Sequence, residues 1–252
     1  MVFRHYPPIF FDDFNDPASG WPNDASRICN PQTNDPITKA GKPWIAVYWT
    51  RGYNNGEYQI FIPPGNATAV WFCQPIALAP YVVSSDVYTV ETTARFVEGK
   101  YESWTLNNWW DNAGLVFGAN EAGTRLFMLC LGTQTYGPGE RTIQWSVFAH
   151  TPGAPRVHDG APLTYHFPYR ACAEEQNRVS AWSNKWVSQS GYSHLQAVVN
   201  GDDVAIYING NYAGSWNIPG LTDMTRVGVT GGDYEYTPSD IRFNWFRTTL
   251  DY

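Results

Sequence analysis

The sequence predicts an all-β fold built as a two-sheet antiparallel sandwich, and three observations predict it. Aromatic residues make up 16% of the 252 residues and charged residues 15%, while Gly (22) and Pro (18) are frequent. This composition favours short strands joined by turns over helices. Strand-like segments also recur at fairly regular intervals, and no segment keeps a 3.6-residue apolar period. A single domain over residues 1–252 is expected, because all-β sandwiches often reach this size as one unit.

Two parts of the chain are predicted to be irregular. Residues 1–43 form the first, because Asp16–Pro43 is rich in Pro, Asn and Asp. The second is a loop-rich insertion at 151–191, where Glu174–Val179 is a candidate for a short helical turn. Elsewhere, β-branched and aromatic runs predict strands at Trp44–Thr50, Glu57–Ile62, Ala69–Phe72, Tyr88–Phe96, Ala113–Phe117, Leu126–Leu131, Thr142–Ala149, His194–Asn200, Val204–Ile208, Tyr212–Trp216, Thr225–Thr230 and Asp240–Leu250.

Turn residues and alternation add detail to these strands. Asn-Gly pairs at Asn200-Gly201 and Asn209-Gly210 predict hairpins with type I′ turns. In Tyr88–Phe96, alternation gives one apolar side and one polar side, and the polar side is expected to face solvent or a ligand. In the next strand, small residues are expected to point outward and leave room for a groove; they are Gly114, Val116 and Gly118.

Charge and cysteine content exclude several classes of function. A net charge of −7 without a Lys/Arg cluster argues against nucleic-acid or anionic-membrane partners. No apolar run approaches a membrane span, and Met1–Phe11 has no signal-peptide pattern. Zinc is not expected, since the cysteines lack close spacing. Cys130 lies in an apolar run and is predicted to be a buried thiol; one disulfide is plausible among Cys29, Cys73 and Cys172.

Six segments share a pattern with a known family, in the same order along the chain. They are FDDFNDPASGW at Phe11–Trp21, GEYQI at Gly56–Ile60, YTVETTAR at Tyr88–Arg95, AGLVF at Ala113–Phe117, HLQAV with AIYING at His194–Gly210, and IRFNWFR at Ile241–Arg247. The series resembles bacterial concanavalin A-like lectin/glucanase domains, the laminin-G-like jelly rolls. The resemblance implies two curved antiparallel sheets, a concave face that commonly binds polysaccharide or glycoconjugate, and an extracellular or cell-surface location.

Sugar rings stack on Trp and Tyr, and their hydroxyls bond to amide, carboxylate and guanidinium groups. The predicted loop between the strands Tyr88–Phe96 and Ala113–Phe117 offers both kinds of group. The polar side of Tyr88–Phe96 should lie beside this loop. The candidate ligand-binding residues are Glu91, Arg95, Trp104, Asn108, Trp109, Trp110 and Asp111; Asn107, Trp182 and Trp186 are further candidates. The alternative for the tryptophans is core packing, because a chain with twelve Trp must bury many of them.

No sequence motif identifies a catalytic site in this chain. Glucanases of the resembling family carry E-x-D-x-x-E or E-x-D-x-E on one strand, and this chain lacks both motifs. The strand that could host them, Thr142–Phe148, has no carboxylate, and no Gly-x-Ser-x-Gly elbow occurs. Asp233-Tyr234-Glu235 is a same-face acidic pair, but a Gly-rich turn is expected there.

The sequence therefore favours a non-catalytic carbohydrate-binding module that recognises a glycan on the concave sheet face. Two alternatives stay open. One is a glycoside hydrolase or lyase whose carboxylates come from separate strands, such as Glu91, Glu102 and Asp111. The other is an extracellular structural or adhesive protein that self-assembles through exposed aromatic residues.

The resemblance also implies a candidate calcium site, since related jelly rolls often hold a structural Ca²⁺ through oxygen ligands near both termini. Asp12 or Asp13 would take part. The family's closing-strand Asp is Asn244 in this sequence, which removes one charge from the ligand set. The alternative for Asp13 is a turn-forming side chain.

Overall fold

A computed structural model describes residues 9–26, 49–62, 75–97, 110–121, 123, 125–135, 141–150, 191–234 and 239–250. Within these ranges the regular elements are antiparallel β-strands. The strands are β1 (Phe10–Asp12), β2 (Asp24–Ser26), β3 (Trp49–Tyr53), β4 (Tyr58–Ile62), β5 (Ile76–Val82), β6 (Val87–Phe96), β7 (Trp110–Ala119), β8 (Leu126–Thr135), β9 (Arg141–His150), β10 (Ser193–Asn200), β11 (Asp203–Ile208), β12 (Asn211–Asn217), β13 (Arg226–Tyr234) and β14 (Ser239–Leu250).

The strands form two sheets that pack face to face. The nine-stranded sheet has the order β12-β11-β10-β6-β14-β4-β3-β2, with β1 added beside β14, and the five-stranded sheet has the order β5-β13-β7-β8-β9. Fully buried residues of both sheets, such as Ile60 and Leu195 from one and Leu115 and Leu129 from the other, belong to one hydrophobic core. A core between two antiparallel sheets makes the fold a β-sandwich, as predicted.

The predicted strands that fall wholly on described residues are confirmed. Of the predicted strand Trp44–Thr50, only Trp49 and Thr50 are described, and both lie in β3. The predicted strand at Ala69–Phe72 and the helical turn at Glu174–Val179 lie outside the described residues, as does the insertion apart from its last residue. The single-domain organisation stays a prediction. No described helix is long and apolar enough to cross a membrane.

The hairpin at Asn209-Gly210 has the predicted geometry, because both residues have positive φ (49° and 75°). The Asn200-Gly201 prediction needs a correction. Asn200 pairs with Asp203 as a strand residue, so the two-residue loop is Gly201-Asp202. Of these two loop residues only Gly201 has positive φ (63°), which is the pattern of a type II′ turn.

The N-terminal part is more regular than predicted. It contains β1, which pairs with β14, and β2, which pairs with β3. Between them Trp21 is 3% exposed, and its ring packs edge-on against Phe14 (5.2 Å) and Phe246 (5.0 Å) and tilted against Tyr58 (5.3 Å). The burial of this indole stabilises the packing of residues 9–26 against the nine-stranded sheet.

The small residues of β7 do not leave a groove, contrary to the prediction. Val116 is fully buried in a second apolar cluster on the outer side of the five-stranded sheet, together with Met128 and Cys130. A Cβ at Gly114 would lie 2.7 Å from Cγ2 of Thr230 and 2.8 Å from Sγ of Cys130. Neighbouring strands thus fill the space beside Gly114, and Leu221 and Met224 fill the space beside Gly118. Cys130 is buried as expected, and the other three cysteines lie outside the described residues.

Candidate functional site

The structure separates the predicted ligand-binding residues onto two sheets. Glu91 and Arg95 lie on β6 of the nine-stranded sheet, whereas Trp110 and Asp111 begin β7 of the five-stranded sheet. The remaining candidates lie outside the described residues; they are Trp104, Asn107, Asn108, Trp109, Trp182 and Trp186, together with Glu102. The described candidates therefore belong to two different places in the fold.

Glu91 is buried rather than facing solvent or a ligand, which corrects the prediction for the polar side of β6. Its exposure is 3%. Nε2 of His194 lies 2.7 Å from Oε2, and Nε and Nη2 of Arg247 lie 2.9 and 2.8 Å from Oε1. Burial raises the pKa of this carboxyl, but the hydrogen bond from His194 and the charge of Arg247 outweigh burial, so its pKa is lowered overall.

A β-bulge in β14 brings an indole over this cluster. Phe243 pairs with Ala94 and Phe246 with Thr92, so β14 has one extra residue between two pairs and both phenylalanines stay in the core. Trp245 is half-buried; its ring lies 5.4 Å from the His194 ring and 5.5 Å from the Arg247 guanidinium. Both oxygens of Glu91 are engaged under this cover, so the residue is a structural anchor.

Arg95 is also held by protein partners. Its guanidinium donates two hydrogen bonds of 3.0 Å to the carboxylate of Glu57 and lies 5.1 Å from the ring centre of Tyr192. Tyr192 donates a hydrogen bond to the same carboxylate. A planar guanidinium fixed by a carboxylate fork and a ring has little freedom to follow a ligand.

The five-stranded sheet brings two carboxylate residues together. Asp111 of β7 is the direct register partner of Asp233 of β13, and the next pair along the same ladder is Trp110 with Tyr234. On its other side, Asp111 is paired with Thr133 of β8. Directly opposite residues of an antiparallel pair share one face of the sheet, with Cβ atoms typically about 4.5–5.5 Å apart. The end of this sheet therefore collects two acids and two aromatics in adjacent register positions.

Sequence reasoning missed this arrangement because it assigned Asp233 to a Gly-rich turn. That assignment is wrong, since β13 continues through Gly231 and Gly232 to Tyr234. Glycines are depleted in strands and hide a strand from propensity reasoning. For the Glu91 cluster a signal was present: apolar residues three apart, Phe243 and Phe246, break the two-residue period and indicate a bulge.

The residues proposed for calcium have other partners. Asp12 is 6% exposed; its Oδ1 accepts a hydrogen bond of 2.7 Å from the backbone N–H of Phe14, and its Oδ2 accepts one from Ser19. Oδ1 of Asp13 accepts one of 3.1 Å from the N–H of Asn15, and hydrogen bonds from Asn15 lower the pKa of Asp13. These are turn-forming roles.

Asn244 is exposed on the bulge, and the described residues contain no cluster of three acidic, His or Cys ligands. The calcium ion stays a prediction.

No family model matches the sequence, and no curated protein does. Among solved structures, the chain is similar to one described as "Prominent members of the human gut microbiota express endo-acting O-glycanases to initiate mucin breakdown", with a TM-score of 0.53, 11% identity, and coverage of 97% of this chain and 99% of that chain. It is also similar to the laminarinase (endo-1,3-β-glucanase) catalytic domain of Thermotoga petrophila RKU-1, with a TM-score of 0.51, 12% identity and 98% of both chains. The laminarinase catalytic domain of Thermotoga maritima MSB8 is a third, with a TM-score of 0.51, 13% identity, and 99% and 100% coverage.

These similarities correct the expectation of a non-catalytic binding module, because the three similar structures are described as a glycanase and two laminarinase catalytic domains. Their likeness extends over nearly the full length of both chains. The chain has the concanavalin A-like jelly-roll fold of lectins and glucanases.

Proposed function

We propose that this chain is a glycoside hydrolase that acts on a polysaccharide or glycoconjugate, with Asp111 and Asp233 as its pair of carboxylates. The observation that carries the proposal is the register of β7 and β13, in which the two residues are directly opposite. It corresponds to a hydrolase whose carboxylates come from separate strands. Glu91 is not part of the pair, because both of its oxygens are engaged by His194 and Arg247.

The spacing suits this chemistry. Retaining glycosidases hold their two carboxyl groups about 5–5.5 Å apart, one as nucleophile and the other as acid and then base. Register partners of an antiparallel ladder have Cβ atoms at a similar distance. Like charges at such a position are destabilising, so two acids there favour a functional role over a structural one.

The neighbouring register positions support a sugar substrate. Trp110 is opposite Tyr234, and aromatic residues offer flat apolar faces on which pyranose rings stack. The similar solved structures are described as a glycanase that acts in mucin breakdown and as laminarinases. Mucin O-glycans and laminarin are therefore the first substrates to try, and an extracellular or cell-surface location goes with substrates of this kind.

The test measures release of reducing ends from laminarin and from mucin O-glycans. The wild-type chain should cleave at least one of them, and Asp111→Asn and Asp233→Asn should each lower the rate at least about 100-fold, as expected for loss of a catalytic acid or base. Asp223→Asn is the matched control, because Asp223 is exposed on another loop, and it should keep the wild-type rate.

A second measurement separates catalysis from folding. Removing one of two opposed like charges should leave stability unchanged or raise it by about 0.2–1 kcal/mol. A rate retained in the Asp111→Asn/Asp233→Asn double variant would overturn the proposal, as would absence of cleavage of both substrates by the wild-type chain. A loss of rate explained by unfolding of the Asn variants would also count against it.

A further inference from the structure

A shallow trough lies on the outer face of the nine-stranded sheet, across β10, β11 and the edge strand β12. It has a volume of about 280 Å³. Its floor is a row of small side chains in direct register, Val198 with Ala205 and Ala205 with Ser215. Alternate residues of the same strands, such as Val204 and Ile206, are fully buried in the core. The floor residues thus face away from the core, and their small size makes the depression.

Trp216 is the aromatic residue among those that line the trough, and a pair of tyrosines lies beyond one end of it. Tyr207 and Tyr212 are register partners two positions along from the floor row, with ring centres 5.6 Å apart in an edge arrangement. Tyr212 is 55% exposed, and its hydroxyl donates a hydrogen bond of 2.9 Å to Oγ of Ser215. That bond holds an exposed ring beside the floor of the trough. A large exposed aromatic side chain in a fixed position is typical of a binding surface.

The lining at the other end of the trough is polar and carries little charge. Asn200, Asp203 and Asn217 form the next register row and are exposed. The side-chain amide of Asn217 donates a hydrogen bond of 2.8 Å to Oδ1 of Asp203. No Lys or Arg is among the described residues that line the trough. Such a lining suits a neutral, hydroxyl-rich ligand and offers nothing to an anion.

The polar row at Asp203 and the tyrosine pair at Tyr207 are four residues apart along β11, which corresponds to about 13 Å. A sugar ring can therefore lie on the floor with one edge against a tyrosine and its hydroxyls toward the amides. Asp111 and Asp233 belong to the other sheet, so the trough is separate from the carboxylate pair.

We propose that this trough is a second, non-catalytic glycan-binding site that anchors the polymer cleaved at the other sheet. The inference rests on the proposed function for its ligand class, and it adds a site on a different surface. The occupant is a neutral pyranose unit of a polysaccharide. Two other occupants fit the lining less well. An extended peptide on the edge strand β12 would bind through backbone contacts, and a second copy of this chain would need apolar contacts, whereas the trough offers side-chain amides.

The experiment measures binding to immobilised laminarin and immobilised mucin O-glycans, with the Asp111→Asn/Asp233→Asn double variant as parent so that neither is consumed. Tyr212→Ala should weaken binding about 3- to 10-fold, the value of one aromatic contact. Ala205→Tyr, which fills the floor, should weaken it by at least as much. Phe11→Ala is the matched control, because Phe11 is 54% exposed on β1, away from the trough, and it should bind like the parent.

The outcomes distinguish this inference from the proposed function. Binding unchanged by both Tyr212→Ala and Ala205→Tyr overturns the second site, even if the wild-type chain cleaves either substrate. Binding that depends on Tyr212, in a chain whose wild type cleaves neither, supports the site and overturns only the hydrolase. A wild-type dimer in size-exclusion chromatography that Tyr212→Ala dissociates, or a peptide that competes for the trough, assigns another occupant and overturns the inference.

Discussion

The carboxylate of Glu91 allows a sharp prediction of stability. Glu91→Gln keeps the shape of the side chain and removes the charge that Arg247 and His194 face. The side chains of these partners are 30% and 32% exposed, so solvent screens part of the interaction, and the loss should fall below the 3–5 kcal/mol of breaking a fully buried pair. We expect the free energy of unfolding at pH 7 to fall by about 2 kcal/mol, and the midpoint temperature by roughly 4–8 °C.

The same cluster determines how that difference depends on pH. The pKa of Glu91 lies below its ordinary value of 4.5, because the partners favour the ionised form more than burial disfavours it. The native state therefore holds the ionised carboxylate more strongly than the unfolded chain does. Its contribution is present above about pH 4.5 and is lost as the pH falls through the lowered pKa. The difference in unfolding free energy between wild type and Glu91→Gln should therefore shrink as the pH falls below about 4.5.

Urea unfolding followed by tryptophan fluorescence, at steps of pH, measures both effects. Glu121→Gln is the control, because Glu121 forms a 2.8 Å ion pair with Arg226 but its side chain is 73% exposed; its effect should stay within about 0.5 kcal/mol. Equal stability of wild type and Glu91→Gln at pH 7, or a difference that does not narrow as the pH falls below about 4.5, would refute the reasoning. Loss of glycan cleavage in a folded Glu91→Gln chain would refute the structural role.

Two further predictions concern packing. Phe246→Ala removes a fully buried ring that packs on Trp21 and should cost about 3–5 kcal/mol in urea unfolding, whereas exposed Phe11→Ala should cost less than about 1 kcal/mol; similar losses would contradict the assigned core. Gly228→Ala should cost about 1–3 kcal/mol, because its Cβ would lie 2.1 Å from the backbone oxygen of Ala77 in the next strand; an unchanged thermal midpoint would show that β5 and β13 are not in this contact.

The strands and their core faces could be predicted from the sequence where local signals dominate. Alternation in Tyr88–Phe96 identified Tyr88, Val90 and Ala94 as the buried side, and all three are at most 2% exposed. Strand β5 was missed, because Pro80 argues against a strand interior. β5 is an edge strand of its sheet, where proline is tolerated since one side of the strand needs no ladder hydrogen bonds.

The site was harder to predict because it depends on contacts between distant parts of the chain. Glu91 belongs to a polar row, and nothing near it in sequence indicates burial; its cover comes from His194 and Arg247, which are more than 100 residues away. The pairing of Asp111 with Asp233 likewise depends on the register of two strands far apart in sequence. Sheet order and register follow from the whole core, so local patterns cannot supply them.

The pairing of β1 with β14 joins Phe10 to Thr248, so it connects the first described strand to the last. Contacts of such long sequence separation carry a loop-closure entropy cost that the rest of the fold must offset. Residues 9–26 therefore depend on the nine-stranded sheet for their position. Detaching this segment would expose the indole of Trp21 and the Phe246 ring that packs against it.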